Sequence, residues 1–468
     1  MKVKAIPSSW LEKEGCRLDC GPYMSGAIEA KVALEKLSVK KETLHEVTKG
    51  GLQGIYHAGR EGRTYVNNSA HGVPFLGSTD ILASDLSWLS LLARKQVAAN
   101  PRFTIQEGWI LITRSGTIGK MAYTRKDMAG MACSEHVMRI VPDPDKILPG
   151  YLYAYLSSRF GVPLVVSGTY GAIIQHIEPY HIANIPVPIA PKSLQRKAHD
   201  LILLSGEKRG EAKQQLEKAQ AILIATIGYP PPSNRKDWCG YNVSSADLVE
   251  YSRFDGFFHN PTAQSLENWI KKHPAGFTTL GEITDDIFDV PPFKHIYVSP
   301  DQGVPFFTSG DIFLLDRKTE KFLSRTQTKG LAQYILQQGW ILLARSGQLG
   351  GIIGRPQYVD SALHRAAASD HVIRIVPKQD ASTAGFLYIY LASPDVGYHL
   401  LTRTMTGSSV PALWPKYLKQ IKVPLVEMSI QRQLDELICQ AFEYRVEATA
   451  YEDEARQLVE SFVEGRVT

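Results

Sequence analysis

The sequence predicts an α+β protein built from two tandem, pseudo-two-fold copies of one mixed, β-rich domain with helices, each followed by a long helix. Three observations predict it. Gly108-Trp109-Ile110-Leu111-Ile112-Thr113-Arg114-Ser115-Gly116 returns as Gly339-Trp340-Ile341-Leu342-Leu343-Ala344-Arg345-Ser346-Gly347, a shift of 231 residues, the difference between 339 and 108. Other blocks return in the same order at nearly the same shift. A charged segment with heptad-like spacing then closes each half. A period this long marks a duplicated domain and not a solenoid of short units. A duplicated half implies a two-fold object, and so a partner or ligand with two matching halves.

The repeat runs along most of the chain. Gly72-Val73-Pro74-Phe75 returns as Gly303-Val304-Pro305-Phe306, and Asp80-Ile81 as Asp311-Ile312, again 231 residues on. His136-Val137-Met138-Arg139-Ile140-Val141-Pro142 returns as His371-Val372-Ile373-Arg374-Ile375-Val376-Pro377, and Gly150-Tyr151-Leu152-Tyr153 as Gly385-Phe386-Leu387-Tyr388, both at 235. Ile185-Pro186-Val187-Pro188 matches Ile421-Lys422-Val423-Pro424, Gln195-Arg196 matches Gln431-Arg432, and Arg17-Leu18-Asp19 matches Arg253-Phe254-Asp255, all at 236. The small changes of shift place insertions in loops. Between these blocks the halves diverge: 82–107 against 313–338, 121–133 against 352–368, and 168–176 against 407–414. One scaffold with two loop sets fits two related but distinct recognition tasks.

Each element has a local reason. Residues 22–40 and 258–273 read as helices that open the halves. Ile110–Thr113 and Ile341–Ala344 are short apolar runs ended by Arg-Ser-Gly, which read as buried strands. Val137–Val141 and Val372–Val376 read as further strands, stopped by Pro142 and Pro377. Tyr151–Ser158 and Phe386–Ser393 read as helical, and the Pro-Val-Pro and Val-Pro segments as extended exits. In 429–465, apolar or small residues fall at Ile430, Leu434, Leu437, Ala441, Tyr444, Ala448, Tyr451, Ala455, Leu458 and Phe462, alternating steps of four and three. That is a coiled-coil seam. The first copy, from Leu194 to Thr226, is poorer. Lys208 and Gln215 interrupt it, Gly206 and Gly210 weaken the helix, and Leu203, Leu204, Leu216, Leu223 and Ile224 offer another seam. The two helices either pack on each other or each covers its own domain. At ~1.5 Å per residue, about 35 residues make a rod of about 50 Å. Tyr229-Pro230-Pro231-Pro232 ends the first helix. The expected boundaries are 1–190 for the first domain, 191–228 for the first helix, 229–426 for a linker and the second domain, and 427–468 for the second helix.

Composition narrows the class. With 468 residues, 44% hydrophobic and 21% charged, the chain fits an ordinary globular protein of two or more domains. No apolar run reaches the ~18–20 residues that span a bilayer, so no membrane partner is expected. Met1-Lys2-Val3-Lys4 leads into no apolar signal region, so a cytoplasmic location is expected. Cys16, Cys20, Cys133, Cys239 and Cys439 contain no C-x-x-C pair and read as free thiols. A net charge of +5 permits nucleic-acid binding without demanding it.

Catalytic patterns fail on inspection. Ser115-Gly116-Thr117-Ile118-Gly119-Lys120 is too short for a phosphate-binding loop, and Met121 stands where Ser or Thr is needed. Asp289-Val290-Pro291-Pro292-Phe293 resembles the Asp-Pro-Pro-Phe tetrapeptide of adenine methyltransferases, but Val290 breaks it and no Gly-rich segment for the methyl donor accompanies it. Pro300-Asp301 followed by Asp316-Arg317-Lys318 fits a loose Mg²⁺-nuclease pattern that the other half lacks. His136 and His371 stand at matched places, each after an acid, and read as structural. No metal site and no cofactor is expected. A binding module is favoured over an enzyme. A nuclease using Asp301, Asp316 and Lys318, and a duplicated protein-binding scaffold, are the alternatives.

The residues resemble a family, the specificity subunit of Type I restriction-modification systems. The carriers are the run at 108–119 with its copy at 339–350, and the approach to each helix, Ile182–Pro188 with Gln195 and Leu418–Pro424 with Gln431. The family order of recognition domain, helix, recognition domain, helix matches the whole chain. One departure is the residue before each glutamine, usually Glu in the family and here Leu194 and Ile430. The resemblance implies a non-catalytic DNA reader with two target recognition domains, each taking one half of a bipartite, asymmetric target. It implies two helices in an antiparallel coiled coil that docks two DNA-methyltransferase subunits, with a restriction subunit able to join. A rod of that length suits half-sites that recur every ~34–36 Å on one face of DNA.

Base reading needs forked donors and amides, whereas positioning needs hydroxyls, backbone N–H groups and cations on phosphates. Arg114, Ser115, Thr117 and Lys120 after the first strand, and Arg345, Ser346 and Gln348 after the second, are candidate DNA contacts. The alternative for each arginine is pairing with an acid of its own domain. Thr169, Tyr170, Gln175 and His176 in one variable loop, and Ser408, Ser409, Trp414 and Lys416 in the other, differ between the halves and suit base reading better. The alternative for Trp414 is core packing. Gln195, Arg196, Gln431 and Arg432 are the candidate partner-binding positions on the helices.

Overall fold

The computed structural model describes residues 3–13, 16, 18, 21–167, 176–232, 240–407 and 409–467. The chain divides into two compact units, Met1–Gly210 together with Glu447–Thr468, and Glu211–Val446. Each is a mixed α+β body.

In the first unit the strands are β1 (Lys41–Thr43), β2 (Ile55–Tyr56), β3 (Tyr65–Val66), β4 (Gly72–Leu76), β5 (Leu91–Ala93), β6 (Ile110–Thr113), β7 (Met121–Tyr123), β8 (Ala132–Cys133), β9 (Val137–Ile140) and β10 (Pro186–Pro188). They form an antiparallel sheet in the order β2-β9-β6-β7, a second sheet in the order β3-β5-β4-β8, and the small pair β1-β10. Among its helices are α1 (Ala27–Lys36), α2 (Pro149–Leu156), α3 (Gly161–Ser167), α4 (Pro179–Ile182) and α5 (Lys192–Ile227), the last running on into the second unit. The helix expected over 22–40 is shorter, because Gly26 takes φ 86° and starts α1 from a left-handed turn.

The apolar run of β6 follows from burial on both faces. Ile110 and Ile112 enter a large core with Tyr151, Leu152 and Ile140, while Leu111 enters a second core with Leu76, Ile81 and Val137. Alternate side chains of a strand point to opposite faces, so two cores demand an unbroken apolar run.

The second unit repeats this plan. Its strands are β11 (Phe277–Thr279), β12 (Thr284–Phe288), β13 (Gly303–Phe307), β14 (Phe322–Ser324), β15 (Ile341–Ala344), β16 (Pro356–Tyr358), β17 (Ala367–Ala368), β18 (Val372–Pro377) and β19 (Lys422–Pro424). The sheet order is β12-β18-β15-β16, beside a sheet β14-β13-β17 and the pair β11-β19. Ile341 and Leu343 enter one core and Leu342 another, as in β6. Among its helices are α6 (Pro261–Lys271), α7 (Ala384–Ala392), α8 (Gly397–Arg403), α9 (Pro415–Leu418) and α10 (Met428–Val463).

Each unit contains one end of each long helix. In the first, Ala198, Leu201 and Ile202 of α5 share a core with Ala455, Val459 and Phe462 of α10. In the second, Ala219, Leu223 and Ile227 share a core with Leu434, Ile438 and Phe442. The start of α5 thus packs on the end of α10, and the end of α5 on the start of α10, which is an antiparallel pairing. Lys208 Nζ lies 3.1 Å from Glu447, and Arg209 Nη2 lies 2.9 Å from Glu452, so ion pairs also join the two helices. Both sequence alternatives hold together: each helix covers a domain and meets its partner.

The seam is corrected by one residue at every second position. Leu434, Ala441, Ala448, Ala455 and Phe462 are buried as expected, but the intervening buried residues are Ile438, Arg445, Glu452 and Val459, whereas Leu437, Tyr444, Tyr451 and Leu458 are only half-buried. On α5 the same shift buries Arg209 and leaves Lys208 half-buried. A heptad pattern of apolar residues could not pick out two charged ones, which are buried because partners satisfy them.

Two matched glycines explain one repeated block. A Cβ on Gly150 would stand 2.9 Å from His199 Cα, and one on Gly385 would stand 2.4 Å from Asp435 Cα. The Gly150 N–H donates to His199 Nδ1 at 3.1 Å, and the Gly385 N–H to Asp435 Oδ1 at 2.6 Å. Only glycine lets the first turns of α2 and α7 lie this close to the long helices.

Candidate nucleic-acid interface

One edge of the main sheet gathers the candidate residues in each unit. β9 runs antiparallel to both β2 and β6, with Tyr56 opposite Arg139 and Thr113 opposite Val137. The chain leaving β2 at His57, leaving β6 at Arg114-Ser115 and entering β9 from Glu135-His136 therefore emerges on one side. The segment from His176 joins them: Ser115 bridges His176, and the Ile177 N–H donates to the Arg114 carbonyl at 3.1 Å. In the second unit Phe288 lies opposite Arg374 and Ala344 opposite Val372. There the edge consists of Asp289, Arg345-Ser346, Asp370-His371 and Ala412–Trp414, with Ser346 bridging Ala412 and the Leu413 N–H donating to the Arg345 carbonyl at 2.7 Å.

Two buried arginines fix this edge. Arg139 is fully buried and donates to the carbonyls of Ser134, Val137, Phe103 and Cys133. Arg374 is fully buried and donates to the carbonyls of Ser369, Val372 and Ala368. Burial lowers the Arg374 guanidinium to about 10, which still leaves it charged at neutral pH. Five donors in a rigid fork suit a guanidinium to tie a tight loop by its carbonyls. The sequence shows both as a lone charge inside an apolar strand, a signal that went unused.

The side chains on the edge differ between units in an ordered way. Arg114 donates through Nε to the Ile177 carbonyl at 2.8 Å, through Nη1 to the Glu135 carbonyl at 3.4 Å, and through Nη2 to the Glu178 carboxylate. His57 Nε2 lies 3.5 Å from the other Glu178 oxygen, and burial together with the Arg114 charge lowers the His57 imidazole. In the second unit Arg345 Nε lies 3.3 Å from Asp289 Oδ2, and its Cζ sits 4.8 Å from the Trp414 ring centroid. Positions 178 and 414 correspond at the late shift of 236, the difference between them, and both cap a short helix that begins with proline. His57 and Asp289 each follow the matched edge strand. The acid that holds the arginine thus comes from the helix cap in one unit and from the strand end in the other. Both arginines are paired with an acid of their own domain, and Trp414, 38% exposed, is neither core nor free.

A second layer lies beside it. Arg63 Nη2 meets Glu135 at 2.7 Å and its Cζ lies over the Phe75 ring, 5.0 Å from the centroid, while the His295 ring packs tilted against Phe306 with 4.8 Å between centroids. Burial pushes the Glu135 carboxyl up, but hydrogen bonds from Arg63 and its own backbone and the Arg63 charge outweigh it, so the net shift is downward. His57, Arg63, Glu178 and His295 carry no signal in linear order, and Asp289 stands out there only as the head of a two-proline loop.

The remaining candidates fall as follows. Ser115 Oγ and His136 Nδ1 are 2.8 Å apart. Thr117 and Lys120 are exposed in the hairpin between β6 and β7. His176 and Ser346 are half-buried, and Gln348 and Ser409 are exposed. Lys416 is exposed and its Nζ lies 4.5 Å from the Tyr417 ring centroid. Thr169, Tyr170, Gln175 and Ser408 lie outside the described residues. Gln195 and Gln431 sit apart from the edge and face inward: each donates to a carbonyl before its helix, Ala190 at 2.8 Å and Val426 at 2.9 Å, and accepts from a domain N–H, Leu148 at 3.3 Å and Thr383 at 3.1 Å. Arg196 and Arg432 beside them are exposed. Lys318 Nζ lies 3.8 Å from Asp316, and Arg317 pairs with Asp360. Among the described residues no group of three His, Cys, Asp or Glu side chains could hold a metal, and no helix is long and apolar enough to cross a membrane.

The first of these two edges lies within a stretch that matches a DNA-recognising domain. Residues 46–202 match the family model of the Type I restriction modification DNA specificity domain. The first unit therefore carries that domain, and the resemblance to Type I specificity subunits holds there. The second unit repeats its strand order around the main sheet. No curated protein matches the chain. Solved structures similar over most of its length include the S subunit of a Type-I restriction-modification system from M. genitalium, at 14% identity and TM-score 0.34, covering 92% of this chain and 97% of that one. Another is the HsdS subunit from Thermoanaerobacter tengcongensis, at 15% identity and TM-score 0.29, with coverage of 92% and 97%. A third, from a type I R-M system studied for complex assembly and conformational transition, has 16% identity, TM-score 0.29, and coverage of 92% and 100%.

Proposed function

We propose that each half of this DNA-specificity subunit reads one half of a bipartite, asymmetric duplex target, with the chemistry left to partner methyltransferase subunits. The observation that carries the reading is the sheet edge built twice on one frame with different side chains around an equivalent arginine. A common frame fits the shared shape of two DNA segments, and divergent side chains fit two base sequences. Ser115, Thr117, Lys120 and His176 form the first DNA-facing edge, which Arg114 holds in place, and Thr169, Tyr170 and Gln175 are proposed as further base contacts. Arg345, Ser346, Gln348, Ser409, Trp414 and Lys416 form the second, with Ser408. The exposed Arg196 and Arg432, one turn into each long helix, meet the methyltransferase subunits, and Gln195 and Gln431 anchor those helix starts. A restriction subunit adds to the same assembly, which works in the cytoplasm.

The test is methylome sequencing of cells that carry this subunit with its methyltransferase. One methylated motif of two unlike half-sites separated by a fixed spacer is expected. Methylation without such a motif, or binding by the purified complex that shows neither sequence preference nor salt dependence, would sink the reading.

A further inference from the structure

The two equivalent arginines differ in what they have left to give. All three nitrogens of the Arg114 guanidinium are engaged, by the Ile177 and Glu135 carbonyls and by the Glu178 carboxylate. Arg345 uses only Nε, toward Asp289 at 3.3 Å, and lies against the Trp414 indole. Among the described residues its Nη1 and Nη2 make no hydrogen bond. The indole is itself held, because Trp414 Nε1 donates to Thr406 Oγ1 at 2.6 Å. The backbone is pinned on both sides: the Arg345 N–H donates to the His371 carbonyl at 2.9 Å, and the Leu413 N–H to the Arg345 carbonyl at 2.7 Å.

Building on the DNA-reading function above, we propose that Arg345 reads a guanine in one half-site, whereas Arg114 is a positioning residue that does not touch DNA. A guanidinium held over an indole, its Cζ 4.8 Å from the ring centroid, presents two terminal N–H groups in its own plane, which matches the O6 and N7 acceptors of guanine in the major groove. Its side-chain freedom is already lost before binding, so little is lost on contact. Asp289 decides between base and phosphate. A carboxylate 3.3 Å from Nε repels a phosphate brought to the same guanidinium, whereas the edge of guanine is neutral. Arg114, with its fork closed by Glu178 and two carbonyls, has no free pair of donors for either.

The test uses the complete subunit with its methyltransferase. Wild type, Arg345→Ala, Arg345→Lys and Arg114→Lys are compared by methylome sequencing. Each is also compared in duplex competition, with every guanine of the motif replaced in turn by 7-deazaguanine, which lacks N7. Arg345→Ala and Arg345→Lys are expected to relax one guanine position and to weaken the cognate duplex about 10-fold, within the range of a lost bidentate contact. The 7-deaza substitution at that position should weaken wild type by a similar factor and leave Arg345→Ala unaffected. Arg114→Lys should lower the thermal midpoint and leave the methylated motif intact.

An unchanged motif in both Arg345 variants overturns the proposal. So does equal weakening on all duplexes with the logarithmic salt slope reduced by about one, the signature of a phosphate contact. So does a base preference altered by Arg114→Lys. If Arg345→Ala does not fold, Arg345→Lys alone decides. A wild-type complex with no bipartite motif fails the broader reading before any variant is made, so the two failures are separate.

Discussion

The Arg209 guanidinium reaches the buried Glu452 carboxylate at 2.9 Å, while the related positions at the other helix ends are Arg445 and Leu216. Glu452 also accepts from Ser205 Oγ at 3.1 Å and from the Tyr153 hydroxyl at 3.2 Å, and lies 3.4 Å from Arg456. One carboxylate thus ties both long helices and the first domain together within a single unit. The second unit has no acid at the equivalent place, so the two copies of the helix pairing are chemically distinct.

Removing only the acid should be costly. Glu452→Leu leaves Arg209 buried without its partner, and about 3–5 kcal/mol of stability should be lost. Adding Arg209→Met should restore much of it, since a well-packed apolar pair can replace a buried ion pair. Urea denaturation of both variants reads this. A midpoint unmoved in the single variant, or unrecovered in the double, would contradict it.

Acid should act through the same group. Burial pushes the Glu452 carboxyl up, but Arg209, Arg456 and the hydrogen bonds from Arg209 and Ser205 pull further, so its net shift is downward. A depressed folded value stabilises the protein fully above the ordinary glutamate pKa of about 4.3, and the gain is lost as pH falls through the folded value. Glu135 and Glu267 shift in the same direction. Urea midpoints should therefore drop between pH 7 and pH 3.5. The drop should be smaller in Glu452→Gln, and an equal drop would remove Glu452 from the explanation.

The glutamine–arginine pairs that open the long helices should separate stability from assembly. Gln195→Ala and Gln431→Ala each strip a carbonyl and an N–H of their partner, at about 1–2 kcal/mol apiece. Arg196→Glu and Arg432→Glu, at exposed positions, should leave the urea midpoint within error and weaken co-elution with the methyltransferase. Full co-elution by the arginine variants would falsify the docking role.

Close packing makes the matched glycines unequal. Gly385→Ala drives a methyl against the Asp435 backbone at 2.4 Å, and Gly150→Ala drives one against the His199 ring at 2.7 Å and backbone at 2.9 Å. Overpacking of this kind costs about 1–3 kcal/mol, and the ring can move where the backbone cannot. Gly385→Ala should therefore be the more destabilised in urea, and the reverse order would show that the helices part freely.

The duplication, the buried strands at 110–113 and 341–344, the extended exits at Pro186–Pro188 and Lys422–Pro424 and both long helices are legible in linear order. Each is written in local periodicity, and β6 and β15 are apolar throughout because two cores cover them. The sequence by itself also determined that the two halves differ, since 168–176 and 407–414 share little. Tertiary structure alone decided which residues do the holding. Arg445 and Glu452 enter the buried seam in place of Tyr444 and Tyr451, because burial of a charge depends on partners far along the chain. Likewise Glu178 answers Arg114 while Asp289 and Trp414 answer Arg345. The repeat marks where those arginines stand, but only the folded sheet edge brings together the residues that close one fork and leave the other open.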